Sequence, residues 1–196
     1  MAIHAGGAGG RRGNRWRPAL WSVAGLMLLA PLLAAQFTDG VDWDLHDYAI
    51  FGAMLTGACL ACEMAARSTR STAYRAATGL SVAAAFLLLW MNLAVGIIGS
   101  EDHPANLVFG GVLAVGITSA ALARFQPYGM ARALTATALA QALVAAVALI
   151  AGWGSDGAKD TGEILLLNGF YVMLWLTSAW LFRRAARQQI GAGSAP

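Results

Sequence analysis

The chain has 196 residues, of which 58% are hydrophobic and 12% charged, with a mean hydropathy of +0.60. A water-soluble domain of this length carries about a quarter charged residues, so the composition excludes a protein whose surface faces water on all sides. The net charge of +3 does not indicate a nucleic-acid partner, because the basic residues lie at the ends of apolar segments and form no continuous patch.

Six apolar stretches follow one another along the chain, and each is long enough to cross a bilayer. A hydrocarbon core about 30 Å thick needs about 20 apolar residues in a helix. The predicted spans are residues 18–37, 48–66, 74–99, 105–123, 131–153 and 162–182. The short connections predict an all-α membrane protein, a six-transmembrane-helix bundle over residues 17–186. Residues 1–16 are predicted to be a disordered basic cytoplasmic tail and residues 187–196 a flexible cytoplasmic tail.

The charged residues divide between the two sides of this bundle. Twelve of the 13 Lys and Arg residues lie in the two tails and in the second and fourth connections, namely Arg11, Arg12, Arg15, Arg17, Arg67, Arg70, Arg75, Arg124, Arg132, Arg183, Arg184 and Arg187. Lys159 and nine of the ten acidic residues lie on the opposite side. Because short loops rich in Lys and Arg remain in the cytoplasm, the pattern predicts that both termini are cytoplasmic.

The spacing of basic residues is consistent with an internal repeat. Arg17, Arg75 and Arg132 each begin an odd-numbered span, and they are separated by 58 and 57 positions. Three tandem helical hairpins, related by an axis along the membrane normal, would produce this pattern. Evenly spaced spans with basic inner ends produce similar offsets without any duplication, so both explanations stay open.

The outer side carries the most concentrated polar chemistry and is the candidate ligand or partner face. It comprises Trp43, Asp44, His46, Asp47, Asn92, Glu101, Asp102, His103 and Asn106. Two imidazoles with several carboxylates could bind Zn²⁺ or Mn²⁺, which makes His46 and His103 the candidate metal ligands. The spacing matches no defined metal motif, so capping residues and solvated acids are the favoured alternative. Asp44 or Asp47 can cap the second helix, and Pro104 suits the first turn of the fourth.

Three neutral amides lie within the predicted spans: Asn92, Gln141 and Asn168. If they face one another, they could line a polar vestibule that opens to the outside. Alternatively they join helices by hydrogen bonds worth about 1 kcal/mol each, and this structural role is favoured because amides commonly connect membrane helices.

Glu63 is the single acidic residue in the inner half of the bundle. An unpaired carboxylate at that depth is costly, so we expect an ion pair. Arg67 lies four residues later, in the favourable orientation for a pair along one helix, and Arg124 or Arg132 are further candidates. A proton relay through Glu63 is the alternative.

The remaining residues argue against several cofactors. Cys59 and Cys62 have Cys-x-x-Cys spacing, but they lie in an apolar helix without a second pair, so packing is the better explanation. No His lies within a predicted span, which excludes bis-His haem ligation, and no Lys lies there for a retinal Schiff base. No phosphate loop or hydrolase motif is present.

Three segments together resemble a known family. They are Tyr74-Arg75-Ala76-Ala77, the stretch 92–106 that reads Asn-Leu-Ala-Val-Gly-Ile-Ile-Gly-Ser-Glu-Asp-His-Pro-Ala-Asn, and residues 129–134. Across roughly residues 43–151 the chain resembles a family of small bacterial polytopic inner-membrane proteins that has no assigned activity. The resemblance implies a bacterial inner membrane and the same fold, and it implies no reaction.

Three hypotheses follow for the function. The first is a non-enzymatic accessory subunit or small-ligand-binding module with an acidic periplasmic face, whose partners are the bilayer and other membrane subunits or a homo-oligomer. The second is a small transporter or cation channel with Asn92, Gln141 and Asn168 along its path. Transporters usually contain broken helices or midplane charges, which are not evident here, so the first is favoured. The third, a membrane enzyme with an outer metal site, rests only on His46 and His103.

Overall fold

The structure is a computed structural model that describes residues 16–38, 43–98, 103–153 and 161–193. The described residues form helices and turns without a strand, and six helices are long and apolar enough to cross a membrane. This confirms the predicted all-α, six-helix membrane fold. The helices are α1 (Trp16–Ala34), α2 (Leu45–Ser68), α3 (Thr72–Ala94), α4 (Val108–Leu122), α5 (Pro127–Ile150) and α6 (Thr161–Gly193), and a 3₁₀ turn at Pro104–Leu107 precedes α4.

The chain divides into two compact units, Met1–Glu63 and Met64–Pro196. The first unit contains α1 and most of α2. Ala24 is the one buried residue of α1, and most of the other residues of this helix are exposed. Where α1 meets α2, the side chain of Leu28 lies over Gly52, and Arg17 and Trp21 both bond to Glu63.

The second unit contains α3 to α6, arranged in the spatial order α3, α6, α5, α4. The packing of α5 on α6 is the most extensive, followed by α3 on α6 and α4 on α5. By contrast, α3 and α4 touch at few positions although they follow each other in the chain. The two predicted hairpins of this unit, α3–α4 and α5–α6, therefore do not pack alike.

Helices α3 and α6 pack antiparallel over a closely packed core. The rings of Tyr74 and Phe182 meet edge to face at 5.0 Å, and the Ser178 hydroxyl donates to the Ala77 carbonyl at 2.7 Å. Ala77 and Phe182 are completely buried. Small residues such as Ala77 permit this close approach, as is usual where helices associate in membranes.

The third helix ends five residues before the limit that hydropathy predicts. The predicted span continues to residue 99, whereas α3 ends at Ala94 and Gly96 adopts a left-handed conformation with φ of 71°. Ile97 and Ile98 are fully buried, but their backbone N–H groups bond to Asn106 and not to the helix. Hydropathy cannot distinguish a buried apolar loop from a helical turn, which explains the error.

A tight turn joins α4 to α5. Arg124 and Phe125 both have positive φ, of 48° and 57°, and the Tyr74 hydroxyl donates to the Phe125 carbonyl at 2.8 Å. A Cβ on Gly129 would lie 2.6 Å from the Cβ of Ala123, so this position requires glycine for α5 to approach the end of α4.

The last helix is longer than the predicted span. It continues to Gly193, through residues that the sequence analysis placed in a flexible tail. Ala, Arg and Gln predominate after Phe182, and these residues have high helix propensity. Asp160 and Glu163 have the spacing of a capping box at the start of this helix, and Asp160 lies outside the described residues.

Candidate functional site

The residues around the start of α2 form a local capping structure. The Asp44 backbone N–H donates to Asp47 Oδ2 at 3.1 Å and the Asp47 N–H donates to Asp44 Oδ1 at 3.0 Å. This reciprocal pair is a capping box. Trp43 packs on Tyr48 with ring centroids 5.3 Å apart, as in the hydrophobic staple that accompanies such a box. Capping by Asp44 and Asp47 is thus confirmed, while His46 lies exposed in the first turn of α2.

The residues before α4 also have structural bonds. Nδ1 of His103 accepts from the Ala105 N–H at 3.2 Å, with Pro104 in the first turn as predicted. Asn106 is 4% exposed, and its Oδ1 accepts from the N–H groups of Ile97 and Ile98 at 3.0 and 2.9 Å. Its Nδ2 donates to the Ile98 carbonyl at 3.2 Å. The side chain of Asn106 therefore replaces helix hydrogen bonds that the segment after α3 lacks.

The predicted metal site includes some residues that the structure describes and some that it does not. Glu101 and Asp102 lie outside the described residues. Among residues 16–38, 43–98, 103–153 and 161–193, no group of three His, Cys, Asp or Glu side chains could hold a metal ion together. Within the described segments, neither His46 nor His103 belongs to such a group.

Two of the three intramembrane amides meet in the interior of the second unit. Gln141 on α5 donates from Nε2 to Oδ1 of Asn168 on α6 at 2.8 Å, and Asn168 Nδ2 donates to the Ile164 carbonyl at 2.9 Å. Gln141 and Asn168 are 0% and 1% exposed, which fits the predicted interhelical bond. Asn92 is half-buried in α3. Within the described residues, Gln141 Oε1 and Asn92 Oδ1 have no donor.

Glu63 forms the expected ion pair, with a partner that the sequence analysis did not select. Arg17 of α1 donates to Oε1 of Glu63, and the indole N–H of Trp21 donates to Oε2 at 3.3 Å. Pairs along one helix can be found from spacing, whereas a pair between α1 and α2 depends on how the two helices pack. Cys59 and Cys62, on the same face of α2, are both free thiols.

The sparse contact between α3 and α4 leaves a groove, here called the α3–α4 groove. It contains a cavity of about 180 Å³ whose lining is almost wholly apolar. The walls come from all four helices of the unit and include Ser81, Val82, Ala85, Leu113, Gly116, Ile117, Ala120, Met130, Leu134, Thr137 and Trp175. Gly116 allows α4 and α5 to come close together at the groove, because a Cβ on residue 116 would lie 3.0 Å from Oγ1 of Thr137.

Trp175 is the one aromatic side chain in the lining of the α3–α4 groove. It is 2% exposed, and within the described residues its indole N–H has no acceptor. A buried donor without a partner costs about 1–3 kcal/mol, and its retention in a packed core needs an explanation. The sequence analysis missed this feature, because hydropathy locates a span but not the neighbour that each face meets.

Comparison with known proteins adds no assignment to this geometry. The chain matches no protein-family model, no curated protein and no solved structure.

Proposed function

We propose that this protein is a non-enzymatic module of the bacterial inner membrane that binds a small lipid-soluble molecule in the α3–α4 groove, with an accessory role beside other membrane subunits. In this proposal both termini are cytoplasmic and the acidic face is periplasmic. The observation that carries the proposal is the groove itself, an apolar cavity of about 180 Å³ walled by four helices.

The size and lining of the groove support a small apolar ligand. An apolar cavity of about 150 Å³ in a protein interior accepts one benzene ring. The α3–α4 groove is slightly larger and opens along the seam between two helices, so a ring or a chain can enter it from the bilayer. Trp175, a lining residue, is 2% exposed, so an apolar ring or chain would meet little of its surface beyond the edge of the groove.

The local bonds of the outer residues also favour a site within the helices. Asp44, Asp47, His103 and Asn106 all use side-chain atoms to hold helix ends or the loop after α3. Side chains committed in this way are less available for a catalytic step. These four residues therefore have structural bonds, whereas His46 and Asn92 of the same face are not accounted for by them.

The test uses a substitution that fills the groove with an apolar side chain and so leaves its lining apolar. Ala85 lines the groove, whereas Ala83 lies two residues away on the exposed side of α3. We expect native mass spectrometry of protein released gently from its own membrane to show a bound small molecule for the unmodified chain and for Ala83→Phe. Its occupancy should fall at least tenfold in Ala85→Phe, because the new ring occupies the cavity.

Two outcomes contradict this proposal. One is protein that carries no small molecule, and the other is equal occupancy in Ala83→Phe and Ala85→Phe. Comparable thermal unfolding of the two variants in detergent controls for a general loss of structure.

A second function, a small transporter or cation channel, draws support from a different observation. Gln141 Oε1 and Asn92 Oδ1 are buried acceptors without donors in the described segments, and such oxygens can bind a cation. Ion flux into liposomes that is abolished by Gln141→Leu and unaffected by Ala85→Phe would favour this function over the first.

A further inference from the structure

A second cavity lies between the end of α4 and the start of α5, away from the α3–α4 groove. Its volume is about 380 Å³. Its walls are Ser119, Leu122, Ala123, Gly129, Arg132, Ala133 and Ala136. No residue is shared with the α3–α4 groove, and this cavity combines a guanidinium and a hydroxyl with a largely apolar remainder.

Arg132 is the charged residue of this cavity. Within the described residues it has no acidic partner, and the ion pair of Arg17 with Glu63 lies in the other unit. Arg132 lies five residues after Pro127, the first residue of α5, which places it about 8 Å along the helix axis. An exposed, unpaired guanidinium beside a crevice is suited to a phosphate, which it binds through two parallel hydrogen bonds.

The charged end and the apolar end of the cavity follow the order in which the headgroup and the acyl chain of a phospholipid lie in a bilayer. It lies where α4 ends and α5 begins, the level at which a spanning helix reaches the lipid headgroups. Tyr128, one turn before Arg132, is 66% exposed, as expected for an aromatic anchor at this level. Ala133 and Ala136 continue the wall toward the middle of α5, where an acyl chain would lie.

We propose that this cavity binds one anionic phospholipid, with the phosphodiester at Arg132 and an acyl chain along Ala133 and Ala136. The Ser119 hydroxyl is placed in the same wall and adds a donor. A lipid whose headgroup lacks an amine is preferred, because the cavity supplies a positive charge and no acidic side chain to receive an ammonium group. This inference is independent of the ligand in the α3–α4 groove.

The general excess of arginine at this end of the bundle offers a simpler explanation for Arg132. Topology alone favours basic residues in such connections, and each attracts anionic lipids diffusely, by about fivefold. Arg124 provides the comparison, since it is exposed in the turn between α4 and α5, at the same end of the bundle, and does not line the cavity. A diffuse effect acts equally through Arg124 and Arg132, whereas a built site depends on Arg132 alone.

The experiment titrates the purified full-length protein in detergent with phosphatidylglycerol or with phosphatidylcholine of the same acyl chains, followed by native mass spectrometry. We expect the first lipid to bind more tightly, and Arg132→Gln to raise its apparent Kd about tenfold or more. Arg124→Gln should raise that Kd by no more than about fivefold, the diffuse contribution of one arginine. Ala136→Phe, which fills the apolar end, should weaken both lipids, while Ala121→Phe on the exposed side of α4 should not.

Three results overturn the inference: equal binding of the two lipids, equal effects of Arg124→Gln and Arg132→Gln, or unchanged lipid binding in Ala136→Phe. Because Arg132 is exposed, Arg132→Gln is expected to fold normally. This result remains decisive even where Ala136→Phe is unstable.

Discussion

At the scale of single residues, Asn106 shows how a polar side chain is used inside an apolar chain. Its three hydrogen bonds to Ile97 and Ile98 satisfy backbone groups that are buried after α3 has ended. A backbone group in an apolar environment must find a partner within the protein, because no water is available to it. Asn106 is therefore better described as part of the fold than as part of a ligand face.

The corresponding prediction concerns Asn106→Ala. We expect it to lower the free energy of unfolding by about 2–4 kcal/mol, since two N–H groups and a carbonyl lose their partners. Amide hydrogen exchange at Ile97 and Ile98, measured in detergent, should accelerate selectively. His103→Ala, which removes one capping bond in the same loop, should cost only about 1 kcal/mol and leave those two amides protected. Unchanged protection in Asn106→Ala would contradict this role.

At the scale of helices, α1 depends on few interactions for its place beside α2. Ala24 is the one buried residue of α1 and a few apolar residues are half-buried, so we expect the bonds of Glu63 to Arg17 and Trp21 to contribute to the attachment. The side chain of Glu63 is 9% exposed, and a buried charge that loses its partner destabilises a protein more than the intact pair stabilises it.

A charge exchange tests this attachment. We expect Glu63→Arg alone to release α1, because two guanidinium groups then face each other, and limited proteolysis in detergent should cleave near residue 38 much faster. The double variant Arg17→Glu with Glu63→Arg should restore at least part of the protection, since the pair is reformed in reverse. Failure of the exchange to restore protection would show that packing, and not the ion pair, holds α1.

The sequence predicts where the helices lie along the chain, but it does not predict which helices pack against each other. Length and hydropathy located all six spans, and the capping roles of Asp44, Asp47 and Pro104 followed from residue type and position. The end of α3, the Arg17 partner of Glu63 and the groove beside Trp175 all depend on which helix faces which. Helix pairing in a membrane is decided by close packing of small residues, and these occur on nearly every face of this chain.

At the scale of the whole molecule, the distribution of charge makes a prediction about orientation. With Cys59 and Cys62 replaced by Ala, we expect a membrane-impermeant maleimide added to intact spheroplasts to label Thr38→Cys and not Gln189→Cys. Twelve basic residues favour the cytoplasm for the side that holds Gln189. Both sites should react after the membrane is permeabilised. Labelling of Gln189→Cys alone before permeabilisation would reverse the proposed topology.

The spatial order of the second unit has a consequence for biosynthesis. A chain is made from its N-terminus, and α3 therefore enters the bilayer well before α6, its main packing partner. Ser178 and Ala77, which bond to each other, are separated by 101 positions. Until α6 is inserted, α3 lacks its most extensive contacts within this unit, since its contact with α4 is sparse. The packing of α3 is consequently completed only after α6 leaves the ribosome, and a truncation before Thr161 leaves α3 and α5 without the partner that joins them.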